Sequence, residues 1–187
     1  ISEELYSQGR PQLAEIIMPL PGESLKTHIE GLNDLLDSSV SRVLSHTLQM
    51  LHGTPYKDDP TFIEQNGYQT AWRIVPLDFS QLDGKKIFDV EEVACATKDM
   101  SFDEYVEARK YMLLIELCKN SGVFKPLERY LVGNGVNVSS WIHGLFNISD
   151  DMPPEVADIV DSFAAETKNE LWETEEELIA HYNDEQN

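Results

Sequence analysis

The chain has 187 residues, is 41% hydrophobic and 26% charged, and carries a formal net charge of −20. That length suits one ordinary domain able to hide roughly 70% of its unfolded surface, and no run of about 18 apolar residues marks a membrane span. The acidic balance disfavours nucleic acid and anionic membrane surfaces as partners, because both need Lys and Arg against phosphate.

Residues 2–9, with Glu3, Glu4 and Leu5 before Gly9 and Pro11, read as the end of a helix closed by glycine. Leu13 to Met18 reads as a buried strand. Ser24 to Ser38 reads as an amphipathic helix, because Leu25, Ile29, Leu32 and Leu36 share one helical face. Val40 to Leu51 reads as a second strand, broken by Gly53-Thr54-Pro55. Strand, helix and strand with short links make a βαβ unit, so the two strands are expected to run parallel. Asp59, Pro60 and Gly67 are the cap, first position and close of a small helix.

Thr70–Val75 and Lys86–Thr97 read as an antiparallel strand pair across the turn-rich link "PLDFSQLDGKK". Residues 101–121 form the clearest helix, with Ser101-Phe-Asp-Glu104 as a capping box and Gly122 behind. Its apolar run of Tyr105, Met112, Leu113, Ile115 and Leu117 predicts deep packing. Further helices are expected from Lys125-Pro126 to about Val132 and inside "GNGVNVSSWIHGLFN". Another runs from Pro153-Pro154 to about Lys168, with Val156, Ile159, Val160 and Phe163 on its apolar face. A last one starts at a second capping box, Thr174 to Glu177. The first part is α/β and the second mostly helical.

Between Asp150 and Asn187 there are 13 acidic residues against one lysine, which reads as a solvated face. The first residues, "ISEELYSQGRP", have neither a basic nor an apolar stretch, so no secretion signal is expected. The initial Ile suggests a cut or processed piece. Cys95 and Cys118 stand in no metal-ligand spacing and read as buried free thiols in a reducing, cytoplasmic setting. Asn137-Val-Ser139 and Asn147-Ile-Ser149 match the glycosylation sequon and read as chance.

Three stretches carry candidate chemistry. In "PLPGES", at a strand end leading into a helix, Gly22 permits close backbone approach and Glu23 can accept from an amine or a ribose. The plain alternative is a strand-to-helix turn capped by Ser24. In "LSHTLQMLHGTPY", His46, Gln49 and His52 lie at and beyond the second strand's end. Alternation puts His46, Leu48 and Met50 on one face and Thr47 and Gln49 on the other. Two histidines without a third ligand make a weak metal site. Glu91-Glu92 place one carboxylate on each face of a strand. An inward one needs a partner, and Arg73 on the neighbouring strand is the nearest candidate.

"EIIMPLPGES" followed by a helix and then "VSRVLSHTLQMLHGTPY" resembles the last two βα steps of the radical S-adenosylmethionine (SAM) barrel. The stretch from "AWRIVPLDF" through "FKPLERYL" resembles the region after the barrel in radical SAM proteins with a cobalamin-binding domain. The likeness spans about residues 1 to 132. It departs from the family where Pro19 replaces a glycine and His46-Thr47 replaces Tyr-Gln.

The resemblance implies a partial (βα) barrel over residues 1–56, a strand pair with helices over 57–132, and an acidic helical tail over 133–187. It implies a parent enzyme in which a [4Fe-4S] cluster cleaves SAM, with cobalamin as a methyl carrier. Met18, Pro19, Gly22 and Glu23 become candidates for SAM contact, and His46, Gln49 and His52 for the adenine or substrate side. The family's CxxxCxxC motif is absent, so the chain alone is expected to hold no cluster or other cofactor and to be inactive. Its expected partner is the rest of the barrel, or a second copy through the cut side. The alternative is a non-catalytic α/β interaction module whose acidic tail binds a basic partner.

Overall fold

Ser24 sets the first helix in place. Its hydroxyl accepts from Thr27 N–H, and the Thr27 hydroxyl accepts from Ser24 N–H at 3.0 Å, closing a capping box. The computed structural model describes residues 11–38, 40–148 and 151–184. The helix end expected over 2–9 and Ser149 of the second sequon lie outside them. Strand β1 (Leu13–Met18), helix α1 (Leu25–Leu36) and strand β2 (Arg42–Thr47) form the expected βαβ unit. The two strands pair in parallel, from Leu13 opposite Arg42 to Met18 opposite Thr47. Ile29, Leu32 and Leu36 are buried along α1, as their spacing predicts.

Two short helices follow, α2 (Pro55–Asp58) and α3 (Pro60–Asn66). Asp59 caps α3 by accepting from Thr61 and Phe62 N–H. Gly67 closes it at φ +61°, where a Cβ would also meet the Lys98 backbone nitrogen at 3.1 Å. Glycine is favoured there twice over, by the positive φ and by the close approach of Lys98.

Strands β3 (Gln69–Leu82) and β4 (Lys85–Ala96) form an antiparallel hairpin. The link expected to be turn-rich is mostly strand. Only Asp83-Gly84 turns, at φ +50° and +77°, as a two-residue Asp-Gly hairpin turn does. Pro76 and Asp78 are accommodated by a register shift between Ile74 and Phe79, with Leu77 at φ +69°.

The second strand is shorter than expected, for a definite reason. Leu48 N–H still donates to Met18 C=O at 2.7 Å, but Met50 N–H then donates to Glu92 C=O and Ala94 N–H to Leu48 C=O, both at 2.9 Å. Residues 48–50 thus leave the parallel ladder and join β4, which ties the two strand pairs together. The expected alternation fails at this switch: Leu48 and Met50 are buried with Thr47, while His46 is exposed.

Helix α4 (Phe102–Ile115) begins at the Ser101–Glu104 capping box and runs on into a π-helical turn, Glu116–Asn120. Tyr105, Tyr111, Leu114 and Ile115 are buried, but Leu117 is exposed. The Asn120 amide accepts from Val43 N–H at 3.0 Å and donates to Val43 C=O at 2.7 Å. It thereby satisfies one residue of a strand edge that would otherwise stand open.

Helices α5 (Lys125–Gly133), α6 (Val138–Asn147), α7 (Pro154–Asn169) and α8 (Glu175–Asn183) complete the described chain. On α7, Val160 is buried but Val156 and Ile159 are exposed, so its expected apolar face is only partly used. Thr174 accepts from Glu177 N–H at 3.2 Å, starting α8. After α7 the chain returns to the hairpin. Trp72 and Trp172 exchange two backbone hydrogen bonds of 2.8 Å, and Tyr182 packs on the stacked rings of Phe79 and Phe88.

One core cluster joins α1, β2, α4 and α6 around Leu32, Val43, Tyr111 and Ile142. A second gathers Met18, Cys95, Met100 and Tyr105, and a third Leu48, Met50 and Ala94. Cys95 and Cys118 are buried free thiols. Among the described residues, no helix is long and apolar enough to cross a membrane.

Candidate functional site

The carboxyl ends of β1 and β2 carry the candidate residues, and the fold divides them into two places. The first is the loop after β1. Met18 and Pro19 are buried and joined by a cis peptide bond. Pro19 C=O accepts from the Tyr68 hydroxyl at 3.4 Å. Gly22 sits at φ +77° with open space where a Cβ would be, and its N–H donates to Asp99 at 3.2 Å.

Glu23 turns back onto its own loop. One carboxylate oxygen accepts from Leu20 N–H at 3.0 Å, and the other meets His28 Nδ1 at 2.8 Å. A carboxylate only accepts, so Nδ1 carries a proton, and the other ring nitrogen lies 3.3 Å from Ser45 Oγ. His28 is fully buried, and sequence spacing gave no signal of its role beyond a place on α1.

The second place is a cleft of ≈ 350 Å³ whose lining includes Ile17, His46, Thr47, Gln49, Arg73 and Glu91. An adjoining cleft of ≈ 570 Å³ shares Gln49 and Glu91 and adds His52, Lys57, Trp72 and Glu175. His46 and Gln49 are therefore brought together. His52 lies further out, 85% exposed at its side chain and 3.2 Å from Asp58. The loop residues Met18 to Glu23 line neither cleft. His46 faces Glu15 at 3.7 Å. Among the described residues, no three His, Cys, Asp or Glu side chains are grouped as a metal site.

The cleft wall is built on a buried charge network. Arg73 Nε donates to Glu91 at 2.8 Å, with each side chain 8% exposed. The strand alternation anticipated Arg73 as the partner of one of the two glutamates, and the inward one is Glu91. Gln49 donates to the other Glu91 oxygen. Burial alone would lower the Arg73 pKa. The Glu91 hydrogen bond, with Tyr105, Glu91 and Glu170 nearby, outweighs burial and raises it, so the guanidinium stays charged.

Two members have no signal in local sequence. Glu170, just past α7, accepts from Arg73 Nη1 at 3.3 Å. Arg109 on α4 reaches the same Glu170 oxygen at 3.8 Å, donates to Thr47 Oγ1 at 3.4 Å and lies over the Phe163 ring. The Thr47 hydroxyl is in turn 3.1 Å from that of Tyr105. On the far side of the hairpin, Lys57 pairs with Glu92 and lies over the Trp72 ring.

Burial raises the pKa of both cysteines above the ordinary thiol value, and they lie in separate core clusters. They do not fit an iron–sulfur cluster, which needs several accessible thiolates together. No protein-family model matches this chain, and no curated protein matches it.

Proposed function

We propose that the chain is the C-terminal part of a radical SAM enzyme of the cobalamin-binding-domain type. In this reading β1, α1 and β2 are the last βα steps of a partial (βα) barrel. One observation carries the reading: two adjacent parallel strands end together beside a glycine turn and an open cleft. Ligands of parallel α/β folds gather at that end.

The side of β1 that bears Leu13 and Ile17 supports the same reading. These residues are 54% and 46% exposed, and in a closed barrel that face would be covered by the remaining strands or, in the separate piece, by a second copy. The cysteines of this chain cannot hold the cluster, so its ligands belong to an earlier part of the parent. SAM would meet Gly22 on the side left open by its missing Cβ, and the loop that Glu23 shapes. His46 and Gln49 would face the adenine or the substrate.

Two measurements test the proposal. The coding sequence upstream should contain a CxxxCxxC motif within about one barrel length, on the scale of ~250 residues. In the longer protein, Glu23→Ala should weaken SAM binding. A complete gene without the cysteine motif ends the enzyme reading, and unchanged SAM affinity ends the assignment of the loop.

A further inference from the structure

Arg73 and Arg109 come from different elements, β4's partner strand and α4, yet their guanidinium groups converge on one atom. Glu170 Oε1 lies 3.3 Å from Arg73 Nη1 and 3.8 Å from Arg109 Nη2. Each arginine is fixed from behind. Arg73 is held at Nε by Glu91, and Arg109 by the Thr47 hydroxyl and the Phe163 ring. Two charged forks pre-set around a single oxygen are the arrangement by which proteins hold carboxylates and phosphates.

Glu170 is a poor permanent occupant. It is the residue following the last turn of α7, where the helix dipole is negative and a carboxylate is disfavoured. Its contacts are longer than the 2.8 Å bond of Glu91, and its side chain is 39% exposed against 8% for Glu91. Arg73 and Thr47 both line the ≈ 350 Å³ cleft, whereas Arg109 and Glu170, their bonding partners, line neither it nor the adjoining one. The charge of the whole chain opposes an incoming anion only over about 8–10 Å at physiological salt, whereas the arginines act at contact.

We infer that Arg73 and Arg109 form an oxyanion subsite bordering the cleft, reached past Arg73 and Thr47, which Glu170 fills until a ligand carboxylate or phosphate displaces it. The inference rests on reading the cleft as the ligand site, and it gives the ligand's class: a small molecule with one oxyanion group. Release of Glu170 leaves Arg109 uncompensated beside the Arg73–Glu91 pair, a net positive spot in an acidic protein.

The test is calorimetric titration of the 187-residue chain with inorganic phosphate and, separately, with succinate. Glu170→Gln keeps the side chain's size and removes its charge. It should tighten binding of one of the two anions about tenfold or more, the worth of one competing charge-assisted hydrogen bond. The anion that responds tells phosphate from carboxylate. Adding Arg109→Gln should return binding to its starting level. No gain with E170Q, or no loss with E170Q/R109Q, overturns the inference.

If E170Q fails to fold, the side-chain Nε–H resonances of Arg73 and Arg109 in the unsubstituted chain decide. Selective shifts of both during titration support the subsite, and no shift at either overturns it. Failure here is separable from failure of the SAM reading, which is measured by SAM affinity in the longer protein.

Discussion

Glu23 and His28 form a bonded pair, 2.8 Å apart, inside the turn that follows the first strand. The ring is completely buried and the carboxylate mostly so. The pair fixes the loop from below, because the same carboxylate holds Leu20 N–H. His28→Leu should therefore destabilise the fold by about 1–3 kcal/mol, the usual cost of leaving a part-buried acceptor unmet. Urea denaturation measures the loss. Faster amide exchange at Leu20 should accompany it, and unchanged exchange there would refute the role given to the ring.

The Arg73–Glu91 pair should behave asymmetrically. Removing one member, as in Arg73→Met or Glu91→Leu, strands a buried charge and should cost about 3–5 kcal/mol. Removing both should cost less than either single change. The remaining partners, Gln49 and Glu170, are solvent-accessible and can hydrate. A double-mutant cycle by chemical denaturation measures this, and additive losses would show that the two side chains act independently.

The Ser101–Glu104 box supplies a pH test. Hydrogen bonds from the Ser101 backbone and then its hydroxyl lower the Glu104 pKa below its ordinary value of 4.5. A carboxylate with a lowered folded pKa stabilises the fold above the unfolded value and loses that stability as pH falls through the folded one. Ser101→Ala keeps the backbone bond but loses the hydroxyl that caps Glu104 N–H and donates to the carboxylate. It should cost about 1 kcal/mol near neutrality, and the carboxylate's part of that difference should fade as pH drops below 4.5. Melting curves from neutral to acid pH follow it. A difference that is constant across this range would show that the Ser101 hydroxyl does not act on the Glu104 carboxylate.

Ile17 lies on the exposed face of β1, 46% accessible, at the lip of the cleft. If this face covers a partner surface, Ile17→Lys should lower self-association of the chain while leaving its helix content unchanged. Light scattering at rising concentration reads it. A chain that stays monomeric before and after the change would remove self-association from the proposed partners.

Much of the fold was legible because local chemistry and global packing agree. Ser24, Asp59, Ser101 and Thr174 each cap the helix their residue type and spacing announce. Arg73 was legible as the partner of an inward glutamate because strand alternation turns one of Glu91 and Glu92 inward; that it is Glu91 follows from the hairpin register. The hairpin was misjudged in extent because Pro76 and Asp78 resemble turn residues. The Asp83-Gly84 signal was nonetheless present in the sequence, and it marks the real turn.

The face assigned to His46 failed because a period of two holds only while a strand keeps one partner. Residues 48–50 exchange β1 for β4, and no local pattern announces such an exchange. Arg109 and Glu170 were beyond local reading altogether. Arg109 meets Thr47 across 62 positions of sequence, and Glu170 meets Arg73 across 97. Only tertiary packing brings them together.

The three residues Leu48, Gln49 and Met50 are bonded on one side to the end of β1 and on the other to β4. They work as a rivet through two plates. Prying the hairpin from the parallel strands must break the backbone hydrogen bonds of the segment that carries Gln49 to the cleft. The cleft wall and the junction between the two strand pairs thus share one segment, so whatever separates the plates also takes Gln49 out of the wall.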